Sequence, residues 1–262
     1  MSQPDHALPQ ISDAPPASRA GGVEVTSLSL TGAHGSVSVT LSSAGDGRPV
    51  IAFGSGLVGS PAHAELAKRF RVTAIETTET DPRRVGSAAA AWALAQGLEH
   101  VGLLALAEGA RTAFWCAAEL GDRANALVLC SPLGLPIASD SEGDGPNADG
   151  SADTHAAGSR QTEPPSASKP GESATEHDDP LRPLLRELKV PKAILLGTRD
   201  PDVPRPTSGI KRSFSRAHIV LVFGASRTVH LDRPEAFASA AGDFLDRQAR
   251  FRLATETVAV LP

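Results

Sequence analysis

HVGLLALAEGARTAFWCAAEL, residues 100–120, sets an unbroken apolar run directly before a run with helical spacing. The first part, HVGLLALAEG, shows no alternation of polar and apolar residues, as a strand buried on both faces requires. The second part, ARTAFWCAAEL, places Ala110, Ala113, Phe114 and Ala117 on one helical face. Strands that lead straight into helices belong to sheets covered by helices.

Working outward, the same alternation continues on both sides. Downstream lie NALVLCSPLG (strand, 125–134), PLRPLLREL (helix, 180–188), PKAILLGTRD (strand, 191–200), PTSGIKRSF (helix, 206–214), AHIVLVFGA (strand, 217–225) and PEAFASAAGDFLDRQAR (helix, 234–250). Upstream lie RPVIAFGSG (strand, 48–56), PAHAELAKRF (helix, 61–70), RVTAIET (strand, 71–77) and RVGSAAAAWALAQG (helix, 84–97). Before them, VEVTSLSLT and VSVTLSSAGDG alternate with period 2 and join near Gly32–Gly35, which predicts an antiparallel hairpin. The pattern predicts an α/β fold. Its mostly parallel sheet has about eight strands, the hairpin at one edge and helices on both faces.

Residues 136–180 break this pattern. They contain no large apolar residue beyond Ile137, too little to offset an ordering cost of ~1–2 kcal/mol per residue. This predicts a disordered acidic insert between core segments 22–135 and 181–250, with tails at 1–21 and 251–262. His155 and His177 fall in the insert and make no convincing metal site. From Asp140 to Asp179, ten acidic residues against Arg160 and Lys169 leave −8, so the rest of the chain, from a total of −5, carries +3. The acidity is therefore local. With aromatic content at 4 % and no basic cluster among aromatics, nucleic-acid binding is not expected.

The N-terminal stretch lacks a basic region followed by an apolar one, and no run approaches the ~18 apolar residues of a membrane span. A soluble cytoplasmic protein is expected. Cys116 and Cys130 both sit in apolar runs and read as buried thiols.

The order of elements resembles the α/β-hydrolase superfamily over about residues 23–134 and 181–247, with the insert at the position of the variable cap. RPVIAFGSGLVGS resembles the oxyanion-hole loop, with Ser55-Gly56 where His-Gly is frequent. HVGLLALAEGARTAFWCAAEL resembles the nucleophile elbow and its helix. VPKAILLGTRDPDVP and VLVFGASRTVHLDRPEAFASAAGDFL resemble the late strands that bring the acid and the histidine.

What the resemblance implies about the site is mostly loss. The elbow needs small residues two positions either side of the nucleophile, and Ala105 and Gly109 supply them. The nucleophile position is Ala107, which has no oxygen or sulfur with which to form a covalent intermediate. The base position, seven residues before Pro234, is Arg227, a permanently protonated group that cannot take a proton near neutrality. Asp200 matches the acid position, so an Asp200–Arg227 pair becomes the natural expectation, with side chains within about 6 Å. A cap that is only an acidic insert would also exclude water poorly.

Two main readings follow. One is a noncatalytic member of the fold, binding a small molecule or a protein partner. The other is a hydrolase of ester or acyl substrates, or a lyase, with chemistry relocated to Glu108, Ser55 or His230, or less readily to Ser226, Ser131, Cys130 or His63. Each candidate also has an ordinary structural reading. Ser55 and Ser226 suit turns, Ser131 a strand end, His63 an exposed helix, His230 a loop, and Glu108 a solvated or locally paired carboxylate. A third reading, a different doubly wound fold, rests on GSGLVGS, which lacks the spacing of a dinucleotide or Walker loop. No cofactor or metal is called for.

Overall fold

The computed structural model describes residues 18–20, 22–137, 179–203, 208–214, 216–251 and 258–261. Most of the predicted insert, 138–178, lies outside them. The central sheet runs β1-β2-β3-β5-β4-β6-β7-β8-β9-β10. Its heart is parallel: β4 (Arg48–Phe53), β5 (Phe70–Glu76), β6 (Val101–Leu106), β7 (Ala124–Cys130), β8 (Lys192–Gly197) and β9 (Ala217–Val222). The hairpin of β2 (Val23–Gly32) and β3 (Gly35–Ala44) joins antiparallel through β3 and β5.

Two short antiparallel strands extend this sheet beyond the expected eight. β1 (Ser18–Ala20) pairs with β2, and β10 (Val258–Leu261) pairs with β9. Both lie in segments read from sequence as tails. Pairing with a sheet edge needs only backbone N–H and C=O groups, so three or four residues suffice without a long apolar pattern. Phe251, also assigned to the tail, is buried against Phe244 and His218.

Helices cover both faces. α2 (Pro82–Ala95), α3 (Gly109–Leu120), α4 (Leu181–Glu187) and α5 (Ser208–Ser213) lie on one side, where Phe114 stacks on Phe214 at 5.9 Å. α1 (Pro61–Ala67), α6 (Val229–Asp232) and α7 (Pro234–Arg247) lie on the other. Two starts are set by local chemistry. Ser60 caps α1 and Asp81 caps α2 by accepting backbone N–H bonds, each just before a proline that has no N–H to satisfy. The hairpin keeps Leu30, Val37, Val39 and Leu41 against α2 and turns Ser27, Ser29, Thr31, Ser36 and Ser38 outward. Cys116 and Cys130 are buried free thiols. Among the described residues, no helix is long and apolar enough to cross a membrane.

His63 departs from expectation. Instead of sitting on an exposed helix it is 2 % exposed, because its face of α1 meets the sheet and α7. A seven-residue helix packed on its neighbours has little outward surface, and two polar residues, His63 and Glu65, do not reveal which way it turns.

Candidate functional site

The candidate residues gather at the C-terminal ends of the parallel strands, where open α/β sheets form crevices. Ser55 follows β4, Ala107 follows β6, Ser131 follows β7, Asp200 follows β8, and Ser226 and Arg227 follow β9.

The elbow turn is present. Ala107 has φ 41°, the left-handed region that non-glycine residues enter at a cost. Its N–H donates to Cys130 O at 2.9 Å, and its carbonyl accepts from Leu133 N at 3.0 Å and Ala110 N at 3.3 Å. The turn brings β6 and α3 so close to β4 that neighbouring side chains have no room. A Cβ at Gly109 would lie 2.5 Å from the Phe53 carbonyl carbon, and one at Gly54 would lie 2.3 Å from Leu106 O. The backbone of a nucleophile elbow thus carries a methyl group at its apex.

Glu108, next to that apex, is engaged. Its Oε1 accepts from Ser55 N at 3.2 Å and from Ser55 Oγ at 2.9 Å. Partial burial would raise its pKa, but its own backbone N–H and the two Ser55 donors outweigh burial and hold it below the usual carboxylate range. The turn after β4 thus turns its Ser55 N–H and hydroxyl onto the carboxylate that follows the apex, while that carboxylate makes no capping bond to α3.

At the acid and base positions, Arg227 Nη2 lies 3.8 Å from Asp200 Oδ1. The same guanidinium also pairs with Asp202, a partner the sequence did not single out. Asp200 is buried and additionally accepts from Asp202 N at 3.1 Å.

His230 sits on the single turn α6 rather than in a loop, 5 % exposed, edge-on to Phe237 at 6.0 Å. Burial lowers its pKa; Asp232 and the nearby Gly56 backbone oppose that shift. Neither ring nitrogen has a hydrogen bond of acceptable geometry among the described residues. Asp232 bonds elsewhere, its Oδ2 accepting from Ser226 N at 2.7 Å and Ser226 Oγ at 2.5 Å. Ser226 is therefore part of a closed turn. Ser131 is buried at a positive φ of 43°, and its Oγ has no partner among the described residues. Burial pushes the Cys130 thiol up to about 12, far from a reactive thiolate. His63 is also held neutral by burial. The structure brings Ser55 to Glu108 and Arg227 to Asp200, but it assembles no nucleophile–base–acid chain from the rest.

A cavity of about 570 Å³ opens beside Glu108. Phe53, Ile75, Pro82 and Val85 supply its apolar lining, with Ser55, Glu76, Thr77, Glu79, Thr80, Glu108, Arg111 and Thr112 completing its walls. Sequence reasoning missed it. The stretch from Thr78 to Arg83, between the predicted strand and helix, is short and mostly polar, and nothing local shows that it stands opposite α3. Arg111 is bound bidentately to Asp179, at 2.6 and 3.2 Å, and to Gly134 O at 2.7 Å. Glu79 pairs with Arg84 at 2.6 Å.

No protein-family model matches the sequence, and no curated protein matches it either. Solved structures do. The chain superposes on a thermophilic esterase from Thermogutta terrifontis with TM-score 0.59 at 15 % identity, covering 85 % of this chain and 99 % of that one. It superposes on a Bacillus subtilis carboxylesterase with TM-score 0.58 at 16 % identity, covering 85 % and 91 %. For the naproxen esterase of the same organism the values are 0.55 and 15 %, covering 85 % and 92 %. The protein has the α/β-hydrolase fold.

Proposed function

We propose that the protein is a noncatalytic α/β-hydrolase-fold protein that binds a small molecule in the cavity beside Glu108. The observation that carries this reading is the Glu108 carboxylate, which accepts from the Ser55 N–H, a backbone donor that a serine hydrolase of this fold would aim at a developing oxyanion. An internal anion held there competes with the charge the reaction must create, and such donors are worth about 10²–10³ in rate. Ala107 and Arg227 support the same reading, since one lacks a nucleophilic atom and the other cannot accept a proton. The cavity falls within the ~300–1,000 Å³ typical of small-molecule sites.

One observation favours an active hydrolase instead: Ser55 Oγ donates to a carboxylate at 2.9 Å, as a nucleophile would to its base. The lowered pKa of Glu108 makes it a weak base, and that weighs against this pairing.

Turnover of short-chain p-nitrophenyl esters separates the two. The wild type is expected to be silent. Ala107→Ser/Arg227→His should stay near background, because Glu108 still holds the Ser55 N–H, and adding Glu108→Ala should give slow hydrolysis. Wild-type turnover abolished by Ser55→Ala would overturn the proposal and make Ser55 the nucleophile.

A further inference from the structure

We infer that the cavity beside Glu108 selects an organic cation: a protonated amine, or an equivalent ammonium group, carried on an apolar body. This rests on the reading of that cavity as a ligand site and names its ligand class. The apolar lining from Phe53, Ile75, Pro82 and Val85 accounts for the body of such a ligand. The sign of its charge follows from which wall groups already have a counter-charge.

Arg111, the cationic residue in the walls, is matched by Asp179 at 2.6 Å. Glu79 is matched by Arg84. Glu76 and Glu108 also line the cavity, and among the described residues neither has a cationic partner. The walls therefore present two carboxylates whose charge no side chain among the described residues neutralises.

The start of α3 would ordinarily favour an anion, through its unpaired N–H groups and dipole. Glu108 sits at that start without capping it, its carboxylate bonded instead to Ser55 N and Ser55 Oγ, so an anionic ligand approaching there would meet a fixed negative charge. A neutral ligand would gain from the apolar lining alone. A cation gains from both the lining and the rim, and its affinity should fall as salt screens the rim.

The test uses three probes with one body and three charges: 4-phenylbutylamine, 4-phenylbutan-1-ol and 4-phenylbutanoate, titrated calorimetrically into the full-length protein. The amine should bind most tightly and the carboxylate least, with the difference shrinking at high salt. Glu76→Gln and Glu108→Gln should each weaken amine binding about two- to fivefold, the range for exposed charge pairs, and leave alcohol binding unchanged. Thr112→Phe, which fills the cavity from α3, should abolish binding of amine and alcohol alike. Thr80→Phe, at an exposed wall position, replaces it if the first variant does not fold.

If amine and alcohol bind equally and the filling variant blocks both, the cavity is a ligand site and the inferred selectivity is wrong. If no probe binds, or binding survives the filled cavity, the small-molecule reading falls and the selectivity with it.

Discussion

Ser55 and Glu108 are joined twice, by the Ser55 N–H at 3.2 Å and the Ser55 hydroxyl at 2.9 Å, both to Glu108 Oε1. The two residues are 53 positions apart, so the contact ties the turn after β4 to the turn after β6. It sets a carboxylate against a backbone N–H at the C-terminal edge of the sheet. It also gives Glu108, whose charge the elbow turn does not itself require, a local role.

Replacing Ser55 by Ala removes the hydroxyl bond and leaves the N–H bond in place. Because Glu108 is largely exposed, the loss should stay below about 1 kcal/mol. The Glu108 pKa should rise toward the ordinary carboxylate value as one of the bonds that lowers it disappears. A carboxyl with a depressed folded pKa stabilises the fold above its unfolded pKa and loses that contribution as pH falls through the folded value. Wild type and variant should therefore differ at pH 7 and converge in acid. Urea unfolding at several pH values, with an NMR titration of Glu108, checks this.

Ala107 holds a positive φ of 41° without the chemistry that would justify the cost. Ala107→Gly should stabilise the protein by about 1 kcal/mol, since glycine enters that region freely. Gly109→Ala should do the reverse, by about 1–3 kcal/mol, because its new Cβ would meet the Phe53 backbone. Urea midpoints measure both, and a neutral Gly109→Ala would refute the close approach of α3 to β4.

Arg227 sits 3.8 Å from the buried Asp200 and also pairs with Asp202. Its side chain is 39 % exposed, so solvent screens the pair, and a double-mutant cycle of Asp200→Asn with Arg227→Leu should give about 0.5–1 kcal/mol of coupling. The coupling should weaken in high salt. Zero coupling at low salt would mean that the two residues are neighbours and not a clasp.

Burial lowers the pKa of both His63 and His230, so the folded protein keeps these rings neutral. The unfolded chain takes up protons first, near pH 6.5. Their contribution to stability is fully present above that pH and is lost as pH falls from about 6.5 toward the lowered folded values. Stability should begin to drop as pH falls below about 6.5. His63→Leu should reduce that drop, which chemical denaturation across the window would show.

Much of the architecture was legible because it is written locally. Continuous apolar strands, helical spacing in ARTAFWCAAEL and period-2 alternation in VEVTSLSLT are properties of neighbouring residues, and burial in a helix-covered sheet demands them. The edge strands β1 and β10 escaped notice because backbone pairing leaves little mark on side-chain choice. His63 was misplaced because a seven-residue helix with only His63 and Glu65 as polar residues does not declare its buried face.

The same division runs through the site. That Ala107 has no nucleophilic atom and that Arg227 cannot be a base are properties of the residues alone, plain from the chain. The resemblance to the α/β-hydrolase superfamily implied Asp200 as the partner of Arg227. Only the tertiary structure decided that Glu108 turns onto Ser55, that Asp202 shares Arg227, and that residues 77–82 stand across from α3 to form a cavity. Those relationships join segments dozens of residues apart. Side-chain direction at the C-terminal edge of a sheet is set by which strands lie side by side, and the order of strands in the chain does not contain that.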